Sequence, residues 1–158
     1  MMASAAGFTL IELIVVISVM LITLTIALPS FVQWTESLRY REVSRDIASK
    51  LRSGRQMAVS NNLEYRLEFD IDGRQYRLVQ GNLSSGSTDW TEVVKPWKSL
   101  DTSVFWATGG SCGGTADMNI EFNPNGTASS GTTCIQDRSG IEQYRVEVTA
   151  SSGRVRIE

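Results

Sequence analysis

Two periods of apolar residues divide this chain. Phe8 to Leu28 is a predominantly apolar run of 21 residues in which Glu12 is the only charge. At about 1.5 Å per residue, a helix of that length covers roughly 31 Å, the depth of a bilayer's hydrocarbon layer. A cleaved secretory signal is the competing reading, but its apolar region would be too long and no small-residue cleavage site follows Leu28. The run is therefore read as retained. Beyond it, Phe31, Trp34, Leu38, Val43, Ile47, Leu51 and Ala58 recur at helical steps, with Glu36, Arg39, Glu42, Asp46, Lys50 and Arg55 between them. That pattern predicts a helix with one packed face and one wet face. Pro29 removes one backbone bond and predicts a kink. Asp46 and Lys50 stand one turn apart as a favourable pair. Asn61-Asn62 is the expected stop.

After Asn62 the period falls to two. Tyr65, Leu67, Phe69 and Ile71 alternate with Arg66, Glu68 and Asp70, predicting a half-buried strand that turns at Asp72-Gly73 and returns from Arg74 to Gln80. A Ser/Gly-rich loop, Gly81 to Asp89, follows. Trp90 to Val94 and Ser103 to Ala107 read as strands separated by Pro96. Met118, Ile120 and Phe122 lead into Asn123-Pro124-Asn125-Gly126, a type I turn sequence. Strands are also expected at Thr132 to Ile135, Tyr144 to Thr149 and Arg154 to Ile157, the last two joined by a Ser151-Ser152-Gly153 turn. Trp90, Trp97, Phe105 and Trp106 are expected as core or sheet-face aromatics. The expected fold class is α+β, a long N-terminal helix, transmembrane in its first half, packed on a C-terminal antiparallel β-sandwich-like head.

Composition narrows the chemistry. The 158 residues contain no histidine, which removes the commonest general base and every Ser-His or Cys-His nucleophile pair. Ser, Thr and Asp are plentiful, yet none is spaced as a nucleophile with its base, so no catalytic residues, cofactor or metal are expected. Net charge is −2, which gives no general pull toward nucleic acid. Cys112 and Cys134 are the only cysteines. Two thiols alone make no zinc site, and they are not a C-x-x-C pair. They read as one disulfide in an oxidising compartment, the alternative being two buried free thiols.

Glu12 remains to be explained. A carboxylate at bilayer depth costs roughly 2.5 to 3.5 kcal/mol on insertion scales, and a plain anchor would carry Leu there. Its neighbours supply a reason. Gly7-Phe8-Thr9-Leu10-Ile11-Glu12-Leu13 resembles the class III signal of type IV pilins and pseudopilins, a G-F-T-L-I-E segment followed by an apolar helix with a proline near its end. The resemblance implies cleavage between Gly7 and Phe8 by a prepilin peptidase, and methylation of the new Phe8 amine by the same enzyme. It also implies pairing of Glu12 with the Phe8 amine of a neighbouring subunit during assembly. Buried ion pairs often only break even against apolar packing, so the expected value of this pair is axial register. On this reading residues 1–7 are a leader, 8–28 the transmembrane half of the helix, 29–62 its periplasmic half and 63–158 the head. Lys or Arg usually stands in the leader of this family, and residues 1–7 contain neither.

The rest of the chain resembles the GspH/FimT family of minor pilins and minor pseudopilins. The carrying residues are a helix ending L-x-x-x-R-x-x-A (Leu51, Arg55, Ala58), a hairpin, the F-N-P-N-G turn and a terminal G-R-V strand. That implies a minor subunit of a type II secretion pseudopilus or a type IV pilus, acting in filament initiation or at the tip. Its expected partners are other pilin subunits, an inner-membrane assembly platform and the membrane itself, with the head in the periplasm. Some FimT-like members bind DNA during natural transformation through a C-terminal G-R-x-R, matched here by Gly153-Arg154-Val155-Arg156. Arg154 and Arg156 would then share one strand face, with Arg145 nearby, and an ion-paired strand face is the competing expectation.

Overall fold

The computed structural model describes residues 8–158, apart from the side chains of residues 26–30, 32 and 33. The described residues fall into two compact units divided between Glu36 and Ser37. One helix, α1, runs Leu10–Asn61, 52 residues, and stays helical through residue 29. The expected kink rests on the Pro29 side chain, which lies outside the described residues, as does Gly7. Asn62 follows the helix with φ of 54°, a left-handed conformation that asparagine tolerates, and the helix ends there.

In the second unit the packed face of α1 begins later than the sequence periodicity predicts. Tyr40, Ser44, Ile47, Ala48, Leu51 and Ala58 are buried, and Val43 packs at the core's edge. Leu38 is exposed, and in the first unit so are Phe31 and Trp34, which pack on each other with ring centroids 5.9 Å apart. Within the second unit the β head covers α1 from Tyr40 onward.

Eight strands follow: β1 Tyr65–Asp70, β2 Gln75–Gln80, β3 Glu92–Ser99, β4 Phe105–Thr108, β5 Met118–Phe122, β6 Gly131–Gln136, β7 Glu142–Thr149 and β8 Arg154–Ile157. They form two four-stranded antiparallel sheets, ordered β3-β2-β1-β5 and β4-β6-β7-β8. The α+β class and the sandwich-like head are as expected. Pro96 does not separate strands. It lies within β3, which the sheet tolerates because β3 is an edge strand and a missing donor there breaks no ladder. The Asp72-Gly73 turn closes over Ile71 to Arg74, and the left-handed residue is Arg74, φ 49°, rather than the glycine.

The core joins one face of α1 to both sheets through Tyr65, Leu67, Phe69, Leu78, Ile120 and Phe122 of the first sheet and Ile135, Val146 and Val148 of the second. Trp106 sits at its centre, 5.5 Å from the Phe69 ring and 5.9 Å from Tyr76, with its indole N–H donated to the Ile71 carbonyl at 3.3 Å. Trp90, Trp97 and Phe105 lie beneath arginines instead. Arg66 stacks over Trp90, Arg77 over Trp97 and Arg74 over Phe105, at 4.3, 4.5 and 5.2 Å. Glu68 bridges Arg66 and Arg77 on one sheet face. Val79, opposite Arg66 in register, is fully buried but outside the main core.

Asp46 does not take Lys50 as its ion-pair partner. It accepts the Tyr76 hydroxyl and, at 2.9 Å, the Lys98 ammonium, tying α1 to β2 and β3. Burial pushes the Asp46 carboxyl up, but these two donors outweigh it and hold the group below the ordinary carboxylate range. Burial, with Asp46 beside it, drives the Tyr76 phenol well upward.

Candidate functional site

At the start of α1, Thr9 and Glu12 cap the helix reciprocally. The Thr9 hydroxyl accepts the Glu12 N–H at 3.3 Å, while the Glu12 carboxylate accepts the Thr9 N–H and hydroxyl, each at 3.4 Å. This is a T-x-x-E capping box, satisfying two donors that a helix start otherwise leaves orphaned. It was present in the sequence, where Glu12 is read as a membrane-depth charge and an assembly partner but not as a cap. The carboxylate therefore has a partner within its own subunit and lies exposed at the helix N-terminus, the favourable end for an anion.

From Leu10 to Leu24 the helix presents apolar side chains all round, most of them about half exposed or more. Its few hydroxyls fold back onto the helix. Ser18 donates to the Ile14 carbonyl at 2.8 Å, Thr23 to Met20 at 2.9 Å and Thr25 to Ile22 at 2.7 Å. Polar groups satisfied in this way leave a surface suited to lipid or to other apolar helices. Among the described residues no helix is long and apolar enough to cross a membrane. The described side chains of this run stop at Thr25, and the expected span 8–28 continues through residues 26–28, whose side chains lie outside the described ones.

A second locus brings together three sequence features read separately. Arg55, from the L-x-x-x-R-x-x-A segment, donates its Nε–H to the carbonyl of Gly126 in the F-N-P-N-G turn at 3.2 Å. Gly153, from the terminal G-R-V segment, lies against the same pair. A Cβ there would stand 2.7 Å from the Gly126 oxygen and 2.9 Å from Arg55 Nε, and Gly153 has φ of 56°. Leu51 and Ala58 are buried on the same helix. The three features are thus one clasp holding the end of α1, the turn and the entry to β8. Gly153→Ala should destabilise the chain by about 2 kcal/mol, from the positive φ and the collision with backbone. An unchanged urea midpoint would contradict the clasp.

Arg154 and Arg156 are exposed on β8, either side of buried Val155, as the alternation predicts. Arg156 faces Glu147 in register, and the Arg145 backbone pairs with that of Glu158. Arg145 is engaged by Glu142 through two hydrogen bonds of 2.8 and 2.9 Å. Those bonds hold the Glu142 carboxyl below its usual range, against a smaller effect of desolvation. Carboxylates interleave with the arginines on this face, an arrangement that does not favour a phosphate track. The sequence reading missed that Arg154 also lines an open groove with Arg52 and Arg55.

Cys112 and Cys134 form a disulfide with Cα atoms 5.5 Å apart, fastening the loop after β4 to β6. Together with Glu142 they are the one grouping among the described residues with metal-ligand atoms in mutual reach. Sulfurs bonded to each other are not thiolate ligands, and Glu142 is occupied by Arg145.

The chain matches the family model of the type II transport protein GspH over residues 43–153, and that of the prokaryotic N-terminal methylation motif over residues 2–28. No curated protein matches it. Among solved structures it is similar to the minor pseudopilin EpsH from the type 2 secretion system of Vibrio cholerae, at 15% identity with a TM-score of 0.59, covering 76% of this chain and 96% of that one. It is also similar to the type IV minor pilin FimU of Pseudomonas aeruginosa, at 16% identity with a TM-score of 0.55, covering 79% and 92%. For E. coli GspH the identity is 10% and the TM-score 0.54, covering 78% and 89%. These likenesses speak to the fold of the helix and head. With the GspH model over most of the chain and the methylation motif ahead of it, the chain belongs to the GspH family of minor pilin-like subunits, which serve type II secretion pseudopili or type IV pili.

Proposed function

We propose that this subunit is cut between Gly7 and Phe8 by a prepilin peptidase, methylated at Phe8, and held by residues 8–28 as a single pass in the inner membrane with its head in the periplasm. From there an assembly platform passes it into the filament, where it acts in initiation or at the tip. The observation that carries this reading is Glu12 at the N-terminus of an exposed apolar helix. Its carboxylate is held ready by Thr9 and can be shared with the Phe8 amine of a neighbouring helix when the two stand in register. An unpaired carboxylate in lipid is costly, so only axial steps that meet a cation are favoured. The family is one of structural subunits, in keeping with a chain that has no histidine.

Initiation makes a numerical prediction. Cells lacking this chain should carry filaments at least tenfold fewer in number, with the length of those remaining unchanged. Equal numbers of shorter filaments, counted by electron microscopy, would place the subunit in elongation instead.

A further inference from the structure

Beneath the edge strand β3 lies a cleft of about 300 Å³ whose floor is the core itself. Leu67, Tyr76 and Leu78, all at most 2% exposed, line it, and Pro96 and Trp97 form its wall. The pairing of β2 with β3 is irregular beside it, the register shifting on both sides of Leu78, which lies opposite Lys95 next to Pro96. Four cations surround this apolar cleft and no carboxylate lines it. Two of the four are committed, Arg77 to Glu68 at 2.6 Å and Lys98 to Asp46 at 2.9 Å. The other two, Lys50 and Lys95, form no ion pair among the described residues, and Lys50 acts on Asp46 only through space.

We propose that this cleft is a docking site for another filament subunit, taking an apolar side chain from it with an adjacent Asp or Glu that meets Lys50 and Lys95. This deepens the reading of the chain as a filament subunit and rests on it. Charge complementarity selects the acid, because a cleft with two unpaired ammonium groups disfavours a basic or wholly apolar insert. Its size suits one or two side chains. Strand addition along β3 is a poorer fit, since Pro96 deprives that edge of a donor and bulges interrupt it. Trp97 supplies the type of aromatic wall that concentrates binding energy at interfaces.

The test uses the full chain in cells making filaments, with a photoreactive benzoylphenylalanine at Trp97 or, separately, at Val15 on the apolar helix. Trp97 should crosslink to another subunit, and K50E with K95E should lower that yield at least tenfold. K50R with K95R should retain it. Crosslinking from Val15, and the melting temperature of the purified chain, should not change with either pair. An unaltered Trp97 yield in the charge-reversed chain, lipid adducts alone, or no subunit adduct at Trp97 while Val15 still crosslinks would overturn the docking site and leave the filament reading standing. No subunit adduct from either position would overturn both.

Discussion

Glu12→Gln should still be cut and inserted, yet enter filaments at least tenfold less than the native chain. Glu12→Ala should fail to at least the same extent and also lose its helix cap. The two substitutions separate two roles of one side chain. Glutamine at this position still accepts from Thr9, because its amide oxygen replaces a carboxylate oxygen at the N3 position of a capping box and Thr9 offers both a backbone and a hydroxyl donor. It cannot meet an ammonium as an ion. Alanine removes both interactions, and the lost cap costs about 1 kcal/mol of local helix stability. Filament entry is read by shearing and immunoblotting, and cap loss by amide exchange at Leu10 to Leu13. If Gln assembles normally and Ala does not, Glu12 acts as a cap and the register role falls.

The second large effect concerns the disulfide. C112S with C134S should lower the stability of the detergent-solubilised chain by about 3 kcal/mol, the scale expected for a loop closed at a separation of 22 residues. The neighbourhood limits how much of that the fold can recover. Cys134 is fully buried on β6, and the loop bearing Cys112 is otherwise held to the sheet by the Gln136 amide, which donates to the Cys112 carbonyl at 2.8 Å. Cys112 itself has φ of 55°, a conformation the serine variant must adopt without the covalent tie. A midpoint shift in urea under oxidising conditions, absent when both chains are reduced, is the expected result. Equal midpoints under oxidising conditions would show that the bond constrains nothing the fold does not already fix.

The sequence carried the local features and missed those that depend on distant neighbours. Alternation from Tyr65 onward and the helical period from Val43 are local, so strands and helix stand close to where they are expected. Phe31, Trp34 and Leu38 continue the same period, but period alone does not say how far the head reaches, and burial begins at Tyr40. Asp46 has Lys50 one turn away, yet its partners are Tyr76 and Lys98, 30 and 52 residues on, which no window along the helix can show. Pro96 ends a strand only if that strand is central, and edge position is a property of the sheet. Arg55 was legible as a motif residue, but its role became visible only where the F-N-P-N-G turn and Gly153 meet it. The capping box is the opposite case, a local signal in plain view behind the stronger processing motif.

Arginines 145, 154 and 156 teach the same lesson with charge. Alternation puts Arg154 and Arg156 on one face of β8, where both are exposed, while Arg145 comes alongside only through the pairing of β7 with β8. Glu142 and Glu147 stand on the same strand as Arg145, so an ion-paired face was the competing expectation from the sequence alone; strand pairing adds Glu147 opposite Arg156 and Glu158 beside Arg145.

The filament role of Glu12 hangs on processing, because the Phe8 amine exists only after the cut. The most direct test is the N-terminal mass of the chain extracted from membranes of cells with and without the prepilin peptidase. The account predicts an N-methylated phenylalanine at position 8 in the first and residues 1–7 still attached in the second. An uncut N-terminus in peptidase-competent cells would contradict it.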